Sequence, residues 1–141
     1  MGLSGDRVNV IKERAGAFLE LARDLLGKGR LDIASFNVHQ ASQLRVKAAL
    51  LRLVGETPRV HGLRELLGML AKRLEELNYS DLSNKIVSFV RMRRDHLIDV
   101  ETAYVESRYG IAEETIENLR MMINVAEELL ALLDQVEKDV L

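Results

Sequence analysis

An all-α, antiparallel up-and-down bundle of about five helices is the fold that this 141-residue sequence predicts. Three observations predict it. Apolar residues step by three and four over long stretches, the period of a helix that buries one face. Pro58 is the only proline. The alternating β-branched pattern of half-buried strands is missing. A chain of this length that is 48% hydrophobic and 30% charged is expected to fold, as one domain spanning residues 1–141.

Each helix follows from its own pattern. Helix one is expected from Asp6 to Leu26, with Val8, Ile11, Ala15, Phe18, Ala22 and Leu25 on one face. "GKGR" at 27–30 ends it, because glycine tolerates the left-handed conformation of a helix terminus. Helix two runs from Leu31 to Val54 and stops at Gly55, and "ETPRVHG" connects it to helix three, Gly62 to Leu77. After "NYS", Ser80 or Asp81 is expected to cap helix four, which continues to Ser107. "RYG" at 108–110 is the next break, and helix five fills the rest, with Ile116, Leu119, Ile123, Ala126, Leu130 and Leu133 aligned. Long helices joined by short links imply antiparallel neighbours.

Composition limits the chemistry. There is no cysteine, hence no disulfide framework and no thiolate zinc site. His39, His61 and His96 are scattered, with no His-x-x-x-His or Glu-x-x-His pair, so neither a metal nor another cofactor is expected. "GKG" at 27–29 has no strand before it and no Lys-Ser/Thr after it, so it is not a phosphate loop. No run approaches a membrane span, and "MGLSGDRVNVIKER" turns charged at once. Gly2 is followed by Asp6 where an acylation motif needs Ser or Thr. A cytoplasmic protein is the expectation.

The net charge of −2 conceals an asymmetry. Residues 45–96 carry 11 Lys/Arg against 6 Asp/Glu, whereas residues 97–141 carry 3 against 11. A basic middle can meet a nucleotide, an RNA or an acidic partner. It can equally pair with the acidic third inside one bundle.

The densest basic stretch is "FVRMRRDHLI" at 89–98. On a straight helix of about 100° per residue, Arg93 falls in the middle of the apolar stripe formed by Ile86, Phe89, Val90, Leu97, Val100 and Tyr104. His96 lies about 60° from Arg93, one turn on, whereas Arg91 lies about 140° from His96, too far for the two to meet. A guanidinium in an apolar stripe needs either an acid, for instance from helix five, or a cleft that takes phosphate. A thinner apolar line through Val87, Ile98 and Val105 implies a second neighbour, one that another subunit could provide. On helix two, Gln40, Gln43 and Lys47 recur with Phe36 on one face, with His39 beside them, as a polar seam or a wet subunit contact. His61 reads as a capping or packing residue at a helix start. Asp95, Asp99, Glu106, Glu113 and Glu114 read as solvated.

Residues 32–70, with Phe36, Gln40-Ala41, Lys47-Ala48, Leu50-Leu51, Pro58, then His61-Gly62-Leu63 and Leu66-Leu67, resemble the first half of a HEPN domain (higher eukaryotes and prokaryotes nucleotide-binding) of the minimal prokaryotic or archaeal type. "AYVESRYG" at 103–110 is similar to that family's Tyr-x-x-Ser-Arg-Tyr-Pro segment, with Gly110 in place of proline. Gln43 stands where the family often has Glu. The resemblance covers residues 8–135. It implies a helical bundle paired as a homodimer, often with a small nucleotidyltransferase partner in a toxin–antitoxin-like two-component system.

Two readings follow from it. In one, the protein is a non-catalytic nucleotide- or RNA-binding module, with Arg93, Arg94 and Arg108 on phosphate and Tyr109 stacked on a base. In the other, it is a metal-independent ribonuclease. Arg91 and His96 have the spacing of the family's Arg-x4–6-His pair, with His96 as general acid or base and an arginine on the phosphorane charge. Met92 and Ile98 depart from the polar residue and tyrosine that commonly accompany that pair. A ligand-free dimerisation domain is the third, plainest option.

Overall fold

The computed structural model describes residues 3–59, 62–109 and 115–140, with the side chains of 3–4 and 104–109 excepted. Six helices make up the fold: α1 (Leu3–Gly27), α2 (Leu31–Val54), α3 (Leu63–Glu76), α4 (Ser80–Met92), α5 (Arg94–Tyr109) and α6 (Ile116–Val140). No strand is present among the described residues. The all-α bundle is as expected, and helix two has the expected ends.

The count differs by one because expected helix four is two helices. The chain leaves α-helical geometry at Arg93, with φ −108 and ψ 19, and resumes at Arg94. Arg93 N–H still donates to Phe89 O, and Leu97 N–H donates to Arg93 O, both at 2.9 Å. The break is therefore a turn of the helix path at one residue, with no loop between.

α2 is the central helix. It packs against α1, α3, α5 and α6, most extensively against α1. Its inward face is built from Ala34, Val38, Ala41, Ala48 and Ala49, all buried. Ala15 and Ala22 are buried on α1. Small side chains on both helices let the axes approach closely. The main core adds Leu63, Leu66, Leu67, Leu70 and Leu74 of α3 and Leu82 and Ile86 of α4. Leu97 and Val100 of α5 and Leu119, Met122, Leu129, Leu133 and Val136 of α6 complete it. Ile116, placed on the buried line by periodicity, is 48% exposed at the first turn of α6.

Three links among the described residues use backbone that few residues accept, at Gly29, Gly55 and Asn78. Gly55 ends α2 at φ 92, its N–H bonded to Leu51 O. Asn78, at φ 68, turns the chain between α3 and α4. Asparagine enters the left-handed region more readily than most residues. Neither Ser80 nor Asp81 caps α4. The N-cap is Tyr79 without a side-chain bond, and the Ser80 hydroxyl instead donates to Glu75 at 3.4 Å.

Candidate functional site

The acids of α6 sort the cations of the protein into those already paired and those left open. Glu127 holds Arg23 of α1 at 2.7 Å. Glu128 holds Arg93 through two contacts, Nε at 2.7 Å and Nη2 at 3.1 Å. Asp134 and Glu137 hold Arg45 of α2, each at 2.8 Å. Pairing of the acidic third with cations elsewhere in the chain is thus part of how the bundle closes.

Arg93, the arginine expected at the centre of a phosphate cleft, is therefore engaged. Its position at the break lets the guanidinium leave the apolar stripe and reach Glu128 across to α6. Among the described residues, Arg91 and Arg94, on either side of it, have no ion pair, and both are exposed. Met92 between them is 73% exposed. Beside the break, an open groove of about 700 Å³ runs between α4 and α6, with Phe89, Met92 and Leu132 in its wall and Lys85 and the Arg93–Glu128 pair at its rim.

His96 follows on the first turns of α5. Its side chain is 30% exposed, and its Nδ1 lies 3.8 Å from Asp99 Oδ2, too far for a hydrogen bond. Nδ1 is buried without a hydrogen-bond partner. Nε2 is therefore the ring nitrogen that a substrate would meet. The roughly 140° separation of Arg91 from His96 on a straight helix does not carry over, because Arg93 interrupts the helix between them. Arg108 and Tyr109 fall in the last turn of α5, and their side chains lie outside the described residues, as do His61 and Gly110.

The polar seam of α2 faces α5. His39 is 5% exposed and donates from Nδ1 to Val100 O at 3.1 Å. A carbonyl only accepts, so this nitrogen carries the proton. Gln43 is buried and hydrogen-bonds His39, Gln40 and Lys47 are half-buried, and Lys47 acts on His39 electrostatically. Next to Val100, Glu101 receives the Arg64 backbone N–H at 2.7 Å and its Nε at 3.0 Å, which ties the start of α3 to α5.

Burial, the largest influence, lowers the His39 pKa from 6.5, against the opposing pull of the Val100 and Gln43 hydrogen bonds. The unfolded chain therefore binds a proton that the native state resists. Stability from this residue is complete above pH 6.5 and is lost as pH falls from there toward the lower native value. Urea unfolding at pH 7.5 and pH 5 is expected to show this loss, with a slope no steeper than about 1.4 kcal/mol per pH unit from this group. In His39→Gln that part of the slope disappears.

Sequence reasoning missed the most buried charge among the described residues, Arg45, whose side chain is 2% exposed and pairs with Glu137, at 4%. Lys12 of α1 adds a contact to Glu137 at 3.0 Å. The run of small residues around Arg45 holds Lys47 as well, so the signal was on α6, where Asp134 and Glu137 are spaced one turn apart beside Leu133 and Val136.

Among the described residues, no group of three His, Asp or Glu is placed to hold a metal ion, and no helix is long and apolar enough to cross a membrane. A search for similar curated proteins finds no match. The family model of the HEPN domain matches residues 8–136, which include every helix in whole or large part, and the chain belongs to that family.

Proposed function

We propose that this HEPN domain binds a nucleotide or RNA through the break between α4 and α5, with Arg91 and Arg94 as the phosphate contacts. One observation carries the reading. Either side of the Glu128-bound Arg93, two exposed guanidinium groups have no acid among the described residues, and Met92 and Arg93 between them line a groove with Phe89 and Leu132 in its wall. Guanidinium groups bond phosphate oxygens in pairs, and an apolar wall offers a surface for a base. Arg108 and Tyr109 stay in the proposal as further contacts from the end of α5. The domain works as a homodimer with a small nucleotidyltransferase partner in a toxin–antitoxin-like system, a part of the proposal that rests on family membership alone.

The second reading, a metal-independent ribonuclease, draws on the interruption at Arg93, across which the straight-helix angle between Arg91 and His96 does not apply. In that chemistry His96 Nε2 moves the proton and Arg91 stabilises the charge on the phosphorane. A single set of experiments separates the two. RNA is incubated in EDTA with wild type and His96→Ala, and binding is read by fluorescence anisotropy on the same samples. The binding module gives intact RNA and equal affinity in both. Cleavage that vanishes in His96→Ala establishes the nuclease, and absence of binding by the wild type sinks both readings.

A further inference from the structure

At the other end of α6 a second cationic centre is built around Glu137. Arg45 Nη1 takes Oε1 at 2.8 Å, and Lys12 Nζ takes Oε2 at 3.0 Å. Arg52 Nε lies 3.7 Å from that same Oε2, outside hydrogen-bond reach. It is buried and has no hydrogen-bond acceptor among the described residues. A buried N–H of a charged group that makes no bond carries the full cost of its lost hydration. The site opens onto a groove of about 560 Å³, lined by Lys12, Arg52, Asp134, Glu137 and Lys138. With Arg45 behind them, four cations face two carboxylates, an excess of two positive charges.

This centre is separate from the α4–α5 break. Glu128, which holds Arg93, and Glu137 are nine residues apart on α6. That is about 13 Å along the axis and about 180° around it. The two sites therefore lie on opposite flanks of α6, either side of the face that carries Leu129, Leu133 and Val136.

We propose that the groove between α1, α2 and the end of α6 is a binding site for a phosphate group. Its oxygens accept from the cations that line the groove, and its negative charge offsets the local excess. Arg45 and Glu137 form the fixed back wall, while Lys12, Arg52 and Lys138 reach the ligand. The shared chemistry is the phosphate group, whether terminal, as on a nucleotide, or bridging, as in an RNA backbone.

The test is a calorimetric titration with inorganic pyrophosphate at fixed ionic strength. It is run on the full chain carrying Arg91→Ala and Arg94→Ala, so that the arginines of the break do not contribute. One pyrophosphate per chain is expected. Adding Arg52→Gln or Lys138→Gln weakens it by about tenfold or more, as loss of a charge-assisted contact does. Lys138 is exposed, so that variant reports on the ligand even if Arg52→Gln disturbs folding. Dimethyl phosphate, titrated in parallel, distinguishes the sources, since binding of the diester points to a backbone phosphate and its failure to a terminal one. No pyrophosphate binding in this background, or binding that ignores both added substitutions, overturns the proposal whatever becomes of the site at the break.

Discussion

Glu137→Ala is expected to lower the unfolding free energy by about 3–5 kcal/mol, the range for removing one partner of a buried ion pair. The side chains of Glu137 and Arg45 are 4% and 2% exposed. The alanine leaves Arg45 Nη1 without its acceptor and leaves Lys12 only Asp134, at 3.8 Å. Arginine cannot escape by losing its proton, so the guanidinium stays charged in a place where water reaches it poorly. Asp134 is the contrast. It makes an equally short bond to Arg45, yet its side chain is 56% exposed, and Asp134→Ala is expected to cost no more than about 1 kcal/mol. Replacing both members of the pair, as Arg45→Met with Glu137→Leu, recovers most of the loss, because an apolar pair needs no desolvation of charge. Urea unfolding monitored by circular dichroism measures all four proteins. A loss below about 1 kcal/mol in Glu137→Ala would mean that Arg45 finds water or another acid, and that the pair does not hold α2 to α6.

That pair also marks the limit of what periodicity can reveal. The steps of three and four on α1 and α6 were legible because the buried residues described there are apolar, Glu137 excepted, and one helix is enough to display the pattern. Leu19 of α1 and Leu129 of α6 simply extend the expected lines. Arg45 was not legible, because its burial depends on acids about 90 residues away on α6, and nothing local distinguishes it from Lys47, which is half-buried. The break at Arg93 was hidden for a related reason. "RMRRDH" contains no glycine or proline, and all its residues tolerate a helix. The turn there coincides with contacts made elsewhere, with Ile86 and Leu97 both in the core and the guanidinium on Glu128. A straight-helix projection keeps its angles only within α4 or within α5. It therefore placed Ile86 and Leu97 correctly against the core and said nothing valid about Arg91 relative to His96. The seam residues Gln40, Gln43 and Lys47 were visible as a line on one helix, but their partner was not, since it is the backbone of α5 at Val100, reached through His39.

Arg91→Ala with Arg94→Ala is expected to weaken binding of single-stranded RNA by about 10- to 100-fold, from the loss of two charge-assisted phosphate contacts. The slope of log affinity against log salt should fall by about 1.4, roughly 0.7 for each phosphate no longer neutralised. Both side chains are exposed and make no ion pair among the described residues, so the fold should survive with stability changed by less than about 0.5 kcal/mol per site. Arg93→Ala is the informative comparison. Its pair with Glu128 is 39% and 43% exposed, so its removal costs about 0–1 kcal/mol of stability. If Glu128 keeps Arg93 occupied, the affinity of Arg93→Ala for RNA stays within about threefold of wild type, because the charge it removes was already neutralised. Anisotropy titrations at three salt concentrations read both quantities. Should Arg93→Ala alone lose as much affinity as the double variant, the guanidinium must exchange Glu128 for phosphate on binding. The centre of the site would then be Arg93, with Glu128 as the acid that holds it ready. Should the double variant bind as tightly as wild type with an unchanged salt slope, the basic face at the break is a solvated surface, and RNA contact, if any, lies elsewhere on the molecule.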